Sequence, residues 1–450
     1  MKKRADFSTV NNGLRNTSVK FTAAAMATVI LATSTLTGCA GLGITGTAHA
    51  GKNAGIAKAQ STLEKEYEGA AVNIAATSDF DKTLAEFLEK SGYADQNYMI
   101  SPTSFRSALA LAVAGADNET KEELIHAMGF ESMDEMNAWY YSVTKIINDF
   151  DESFDEQKKE FEEHKDWYDD DAKAPEGSLI LLNSIWNNTD MGGKFGKEYI
   201  NYVENYYGAE ANDVKAGEIT NKINNWVNEG TNGLIPQIAD NLSSVNAALI
   251  NTLYLKSSWE ISFSKAANTI DTFKTSDGSE VAREFMNNQD SYKYYEDKNG
   301  KLVVLPMNGG VDAVFVLGDI ADVHDALAKA SSEEVRIQLP KFEVESDFNS
   351  NEFLYYLMDR GAERPFDERA DFSIMSPDKN LFISDIIQKT KIKVDEDGLE
   401  AAAATAVLML ESCMEITEEP KEFIANEPFR FYICGGENDD EILFCGQIVK

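Results

Sequence analysis

Four histidines, four cysteines and 76 carboxylates are the candidate chemical groups of this 450-residue chain. Hydrolytic or metal chemistry would need them at particular spacings. His49, His126, His164 and His324 lie far apart, and none belongs to an H-E-x-x-H pattern, where two imidazoles one helical turn apart hold a metal. His126, His164 and His324 sit in polar, helix-like contexts that suit a surface role, while His49 falls in a signal or tether. No G-x-S-x-G nucleophile elbow and no phosphate loop occurs. Gly41 to Gly46 (GLGITG) matches the G-x-G-x-x-G dinucleotide pattern, but no strand precedes it and no helix opens from it, so it reads as linker. Cys434 and Cys445 flank the turn GGENDDE symmetrically. A cross-strand disulfide and two buried free thiols both fit that spacing, and the apolar runs FRFYI and EILF favour thiols. The chain does not read as an enzyme, and no metal or cofactor is implied.

Cys39 has a different chemistry. The chain starts MKKR and continues through Phe21 to Thr37 (FTAAAMATVILATSTLT), an apolar stretch short for a bilayer span and similar to the hydrophobic region of an export signal. Leu36-Thr37-Gly38-Cys39 resembles a bacterial lipobox, in which the cysteine is acylated and becomes the first residue of the mature chain. Cleavage after Ala48-His49-Ala50, giving a free secreted protein, is the alternative. The expected organisation is a signal peptide over residues 1–38, a tether over 39–75 and one domain over 76–450. Removing residues 1–38 takes away Lys2, Lys3, Arg4, Arg15, Lys20 and Asp6, a net +4, so the formal charge goes from −35 to −39. Such a surface repels phosphate backbones and anionic headgroups, which excludes nucleic acid as a partner and leaves the lipid on Cys39 as the route to a cell-surface membrane.

The globular part must be built from the elements that follow. Phe80 to Lys90 (FDKTLAEFLEK) has helical spacing, and Ser101-Pro102 opens a buried small-residue helix, SPTSFRSALALAVAGA. Residues 149–171 carry a dense acidic run that reads as a solvated helix face or loop. Strand-like runs dominate later: LILLNSIWNN, AALINTLYLKSSW, KLVVLPM, DAVFVLGDI and EVRIQLPKFEVES. Near the end, Glu396 to Cys413 (EDGLEAAAATAVLMLESC) has the alanine content of a helix but lies between strand-like runs. As a strand, Leu399, Ala401, Ala403, Thr405, Val407 and Met409 would share one face, with Glu400 on the other. Propensity alone favours the helix.

The ordered set NYMISPTSFRSALALAVAG, NTLYLKSSWEISF, LPKF, ADFS, EDGLEAAAATA and EPFRFYIC...ILFCGQIV resembles the serpin family over about 370 residues, from roughly Asp79 to the end. The resemblance implies an α+β fold: several helices around three mainly antiparallel sheets, with an exposed reactive loop that can insert into the large sheet. It implies a monomeric suicide inhibitor of serine, or also cysteine, proteases, and alternatively a non-inhibitory binding protein of the same fold. The hinge would be Glu396, Gly398, Leu399, Glu400, Ala401, Ala402, Ala403, Ala404 and Thr405. Ser101, Ser104 and Asn251 would lie where the central strands part, and Trp259 where the top of the sheet opens. Gln388 stands where serpins commonly carry histidine, and Leu399 where inhibitory members usually have Thr or Ser. Counting about 17 residues from Glu396 places the reactive bond between Ser412 and Cys413. A small residue there, with no Lys or Arg between Gly398 and Pro420, suits an elastase-like or subtilisin-like target.

Cys39→Ser is expected to abolish metabolic labelling with a lipid precursor, leaving the precursor uncleaved or releasing protein to the medium; a normally lipidated mature form would refute the anchor.

Overall fold

A computed structural model describes residues 53–167, 172–348, 350–399 and 419–450. Cys39, Glu400, Ala401, Ala402, Ala403, Ala404, Thr405, Ser412 and Cys413 lie outside them, as does the segment 1–38. The helices, in chain order, are α1 (Ala54–Tyr67), α2 (Ile74–Leu88), α3 (Pro102–Gly115), α4 (Asn118–Ala127), α5 (Met133–Glu163), α6 (Lys197–Tyr206), α7 (Ala216–Gly230), α8 (Val323–Lys329) and α9 (Ser350–Asp359). Several start where the sequence supplies a cap. Ser101 Oγ accepts from Ser104 N ahead of Pro102, and Ser132 Oγ accepts from Glu135 N while Glu135 reaches back to Glu131 N. All 14 residues of α3 are buried, which its Ser, Ala and Gly content permits because neighbours can approach it closely on every side. Residues 149–163 of the acidic run form the C-terminal end of α5, held down by Phe150, Phe154 and Phe161. No described helix is long and apolar enough to cross a membrane.

The tether expected over residues 39–75 is too long. Ile56, Ala59 and Leu63 recur on one face of α1 and are buried against α5 and α6, so the segment from Asn53 onward is packed protein. The small, polar composition concealed three apolar residues at a helical spacing.

The strands are β1 (Tyr98–Ile100), β2 (Ser178–Asn188), β3 (Glu210–Val214), β4 (Ala247–Ser258), β5 (Thr269–Lys274), β6 (Glu280–Glu296), β7 (Gly300–Met307), β8 (Val311–Gly318), β9 (Ser331–Pro340), β10 (Phe342–Phe348), β11 (Ile383–Asp395), β12 (Gly398–Leu399), β13 (Lys421–Ile424), β14 (Phe429–Gly435) and β15 (Glu441–Ile448). One six-stranded sheet runs β10-β11-β12-β4-β2-β3. The remaining strands form a nine-stranded network in which the 17-residue β6 joins two sheets, pairing with β9 through Phe285–Tyr294 and with β7 through Lys293–Glu296. Most pairings are antiparallel; β11–β4, β13–β9 and β2–β3 are parallel. α3 lies between β4 and β2 on one side and β15 on the other. Alternation on β4 divides its apolar residues: Leu249, Leu253 and Leu255 join the main core, while Ala248 and Ile250 join a second cluster beneath α7. Cys434 is paired with Ile442 and Cys445 with Tyr432, so the two thiols are not cross-strand neighbours and both are buried and free.

Arg106 of α3 is fully buried between Asp81 of α2 and Glu441 of β15. Its Nη2 lies 2.8 Å from Glu441 Oε1, Trp139 Nε1 donates to Glu441 Oε2 at 3.0 Å, and the guanidinium stacks over Trp139. With two acids to one base, burial outweighs the attraction of Arg106 and pushes the Asp81 carboxyl up to about 7, assisted by Glu441. A carboxyl raised on folding keeps its proton longer when folded, so its stabilisation is complete below the unfolded value near 3.8 and is lost as pH rises through about 7. Urea midpoints measured across that range should fall with rising pH, and Asp81→Asn should remove this part of the slope.

Candidate functional site

The six-stranded sheet forks. β11 and β4 pair in parallel from Ile383↔Ala247 to Gln388↔Asn251, then part, and β12 occupies the opening further along. At the fork Gln388 Nε2 donates to Asn251 Oδ1 at 3.3 Å and to Ser101 O at 3.0 Å, while Gln388 Oε1 accepts from Ser101 N at 2.9 Å. Asn251 Nδ2 donates to Ser104 O at 2.5 Å, and Ser101 Oγ donates to Leu443 O of β15 at 2.6 Å. The sheet is thereby fastened at one level to the first turn of α3. A neutral amide does this work in full: every contact of Gln388 needs a donor and an acceptor at once, and neither titrates near neutral pH. Ser104 contributes its carbonyl, whereas its buried hydroxyl has no partner among the described residues.

At the far end of the opening the chain reverses through Asp395, Glu396 and Asp397 and seats β12 between its neighbours. Leu399 pairs with Val394 and Ser257, and Gly398 with Asp395 and Ser258. Leu399 is 1% exposed and belongs to the main core. Gly398 has φ +139, and a Cβ there would meet Ser257 O at 2.3 Å, so glycine is required both by conformation and by the closeness of β4. Trp259, 2% exposed, holds the turn by donating Nε1–H to Asp395 O at 2.9 Å and its backbone N–H to Asp397 O at 3.3 Å. Glu396 is buried and accepts from Lys341 Nζ at 3.0 Å and from Asn268 Nδ2. Burial opposes its ionisation, but the hydrogen bonds from Asn268 and Lys341 outweigh burial and hold the carboxyl below the usual glutamate range. Lys265 pairs with Asp397 at 3.0 Å and Lys393 with Asp395 at 2.9 Å, so each acid of the reversal faces a cation.

Nothing in this arrangement is a nucleophile beside a base. It is a slot between two strands, with a third started in it. A family model described as serpin (serine protease inhibitor) matches residues 75–450. The chain belongs to the serpin family. An uncharacterised serpin-like protein of Thermococcus kodakarensis is 29% identical over 377 residues, covering 79% of this chain and 81% of the relative. The human leukocyte elastase inhibitor is 28% identical, covering 78% and 92%. Among solved structures, a thermophilic serpin, tengpin, in the native state matches with TM-score 0.67 at 28% identity, covering 84% of this chain and 94% of that one. Serpin48 of the insect Tenebrio molitor matches with TM-score 0.65 at 26% identity, covering 84% and 97%.

The structure brings together Ser101, Ser104, Asn251 and Gln388 at the fork, and Glu396, Gly398, Leu399 and Trp259 at the reversal. Asn268 and Lys265 were not singled out from the sequence, and isolated polar residues in a loop carry no signal of their own. Lys341 was quoted only as part of LPKF. The described histidines lie elsewhere: His164 stacks on exposed Trp167, and His324 Nδ1 is 3.1 Å from Ser78 Oγ.

Gly398→Ala should unseat β12, since it introduces both a strained φ and a backbone clash; a loss of about 1–3 kcal/mol is expected from urea unfolding, with faster hydrogen exchange at Leu399.

Proposed function

We propose that this serpin is an irreversible inhibitor of serine proteases, extending to cysteine proteases, that is consumed as the reactive loop enters the slot between β11 and β4. The observation that carries the reading is the seating of β12. Extending its register one residue at a time, six positions on from Leu399 is Thr405, six back from Val394 is Gln388 and six back from Ser257 is Asn251. A loop inserted in that register would bring Thr405 to the fork itself. Ala401, Ala403 and Thr405 would follow Leu399 onto the core face. Glu400 would fall on the other face beside Lys393 and Lys256, one step from Val394 and Ser257.

In this mechanism the protease nucleophile adds to the Ser412 carbonyl carbon. The Ser412–Cys413 peptide bond breaks, the Cys413 nitrogen leaves as an amine carrying the proton delivered by the protease, and an ester, or a thioester for a cysteine enzyme, joins Ser412 to the protease. Insertion of the freed strand then competes with hydrolysis of that bond. If about ten ladder hydrogen bonds form at roughly 1 kcal/mol each, the gain is on the order of 10 kcal/mol, enough to distort an active-site loop. The leucine at the first inserting position, which also supports a non-inhibitory binding reading, is already buried in the sheet, so its bulk is accommodated. An elastase-like or subtilisin-like target fits the small residue at Ser412, and four of the similar proteins are named leukocyte elastase inhibitors. Acylation at Cys39 would hold the inhibitor at a bacterial cell surface.

The test is incubation with a subtilisin-type and an elastase-type protease, read on denaturing gels and by mass spectrometry. A covalent band and a new N-terminus at Cys413 are expected. Thr405→Arg, which would bury an unpaired guanidinium at a cost of about 3–5 kcal/mol, should be cleaved as a substrate without trapping the protease. Glu400→Gln should still inhibit. It is a better control than Glu400→Arg, because an arginine there would meet Lys393 and Lys256. Complex formation by Thr405→Arg at the wild-type stoichiometry would refute insertion in this register.

A further inference from the structure

We propose that Asp312 and Asp439 form a proton-operated latch on the mouth of the slot: with one proton between them they keep the β7–β8 turn braced against the end of β4, and without it they release that end. Its effect on loop entry rests on the insertion reading above; the latch itself does not. The brace is made of direct bonds. Asn308 N donates to Ser258 O at 2.9 Å and its Nδ2 to Ser258 Oγ at 2.8 Å, Ser257 Oγ donates to Asn308 O at 2.5 Å, and Glu260 N donates to Pro306 O at 2.9 Å. Trp259 forms a bridge with Met307. Ser257 and Ser258 are the residues with which Leu399 and Gly398 pair, so whatever holds this turn holds one lip of the slot.

Asp312, the second residue of β8, lies opposite Pro306 on one side and Cys434 on the other. Its carboxyl meets that of Asp439, from the turn between β14 and β15, and Lys293 Nζ of β6 stands 3.7 Å from Asp312 Oδ2 and 3.2 Å from Asp439 Oδ2. Both acids are largely covered. Two carboxylates and one ammonium leave a net negative charge out of water, which a shared proton removes. Glu260, just after β4, adds another negative charge, and the neighbouring Cys434 thiol is kept protonated by burial. The same turn carries Asp440 and Glu437, and α5 brings Asp149 and Lys145, the latter 3.9 Å from Glu437. Burial first, and then the charge of Asp439, push the Asp312 carboxyl up to about 7 against the pull of Lys293. A group raised in the closed form loses its contribution as pH rises through that value, so the latch holds in mild acid and is slack above about pH 7. Asp439 has φ +57, a left-handed position that Asn adopts as readily as Asp, so its charge can be removed without new strain.

The test is hydrogen exchange read by mass spectrometry on the full-length protein between about pH 5 and 8.5, corrected for intrinsic exchange. In wild type, local opening of peptides covering Ser257–Glu260 and Pro306–Asp312 should rise by up to about tenfold per pH unit as far as about pH 7 and then level. Asp312→Asn and Asp439→Asn should both be flat over that range. Lys293→Gln, which removes the pull on the proton, should carry the rise to higher pH. Asp81 titrates in the same range but is intact in all three variants, so a slope that survives in Asp312→Asn overturns the latch, as does a flat wild type. The stoichiometry of inhibition of a subtilisin-type protease, taken as the ratio of wild type to Asp312→Asn at each pH, cancels the protease's own pH profile. That ratio should fall as pH rises toward 7, because easier insertion leaves fewer acyl-enzymes to hydrolyse; a constant ratio overturns the control of insertion. Should wild type trap no protease, the inhibitory reading fails, and the exchange series decides the latch by itself.

Discussion

The parallel seam between β11 and β4 is the constraint on which the rest of this serpin turns. Between Ile383 and Gln388 the two strands are joined directly; among the described residues they share no ladder beyond that point, and only β12 reaches both. The seam is short, and each ladder bond is worth only about 1 kcal/mol net because water competes for the same groups. What fastens it is the amide of Gln388, bonded at once to Asn251 on the neighbouring strand and to the backbone of Ser101 beneath. Parting the strands leaves buried donors and acceptors unmet until something replaces them. A sheet can therefore remain incompletely paired for kinetic reasons while a more fully paired arrangement is available to it.

α3 makes the seam a property of the whole molecule. Its N-terminal turn holds Gln388 and Asn251, its Ser101 hydroxyl reaches β15, and Arg106 ties it to α2 and β15 through two buried carboxylates. Small side chains allow it to be covered on all sides, so it has no free face along which to shift.

Much of this could be read from the chain. Ser101-Pro102 marks the start of α3, the β-branched run from Ile383 onward is β11, and Leu399 is buried in the core. At the cassette propensity does not choose, because alanine is compatible with helix and with a crowded strand alike; Gly398 and Leu399 pair with β11 and β4. Long-range polar partners were not legible. Neither Asn268 near Glu396 nor Asp81 near Arg106 can be inferred without knowing which elements meet. α1 was missed for another reason: its apolar face is only three residues wide, and the glycine that lets it dock looks like a linker residue.

The two residues of β12 also bear on speed. Starting a strand between two others costs the entropy of fixing its first residues before any cooperative gain, and that cost is already met here: Gly398 holds its unusual φ and Leu399 is paired on both sides. In the insertion proposed above, growth from this point would be propagation, like closing a zip whose first teeth are engaged. Between Leu399 and the fastened pair at Asn251 and Gln388, five positions on each strand, Thr252–Lys256 and Lys389–Lys393, share no ladder with each other among the described residues. Resistance to that proposed insertion would thus be concentrated at one level of the sheet, several residues from its beginning. For the insertion proposed above, the delay would be set by the group of polar contacts at Gln388, Asn251 and Ser101, more like a catch than like friction along the whole path.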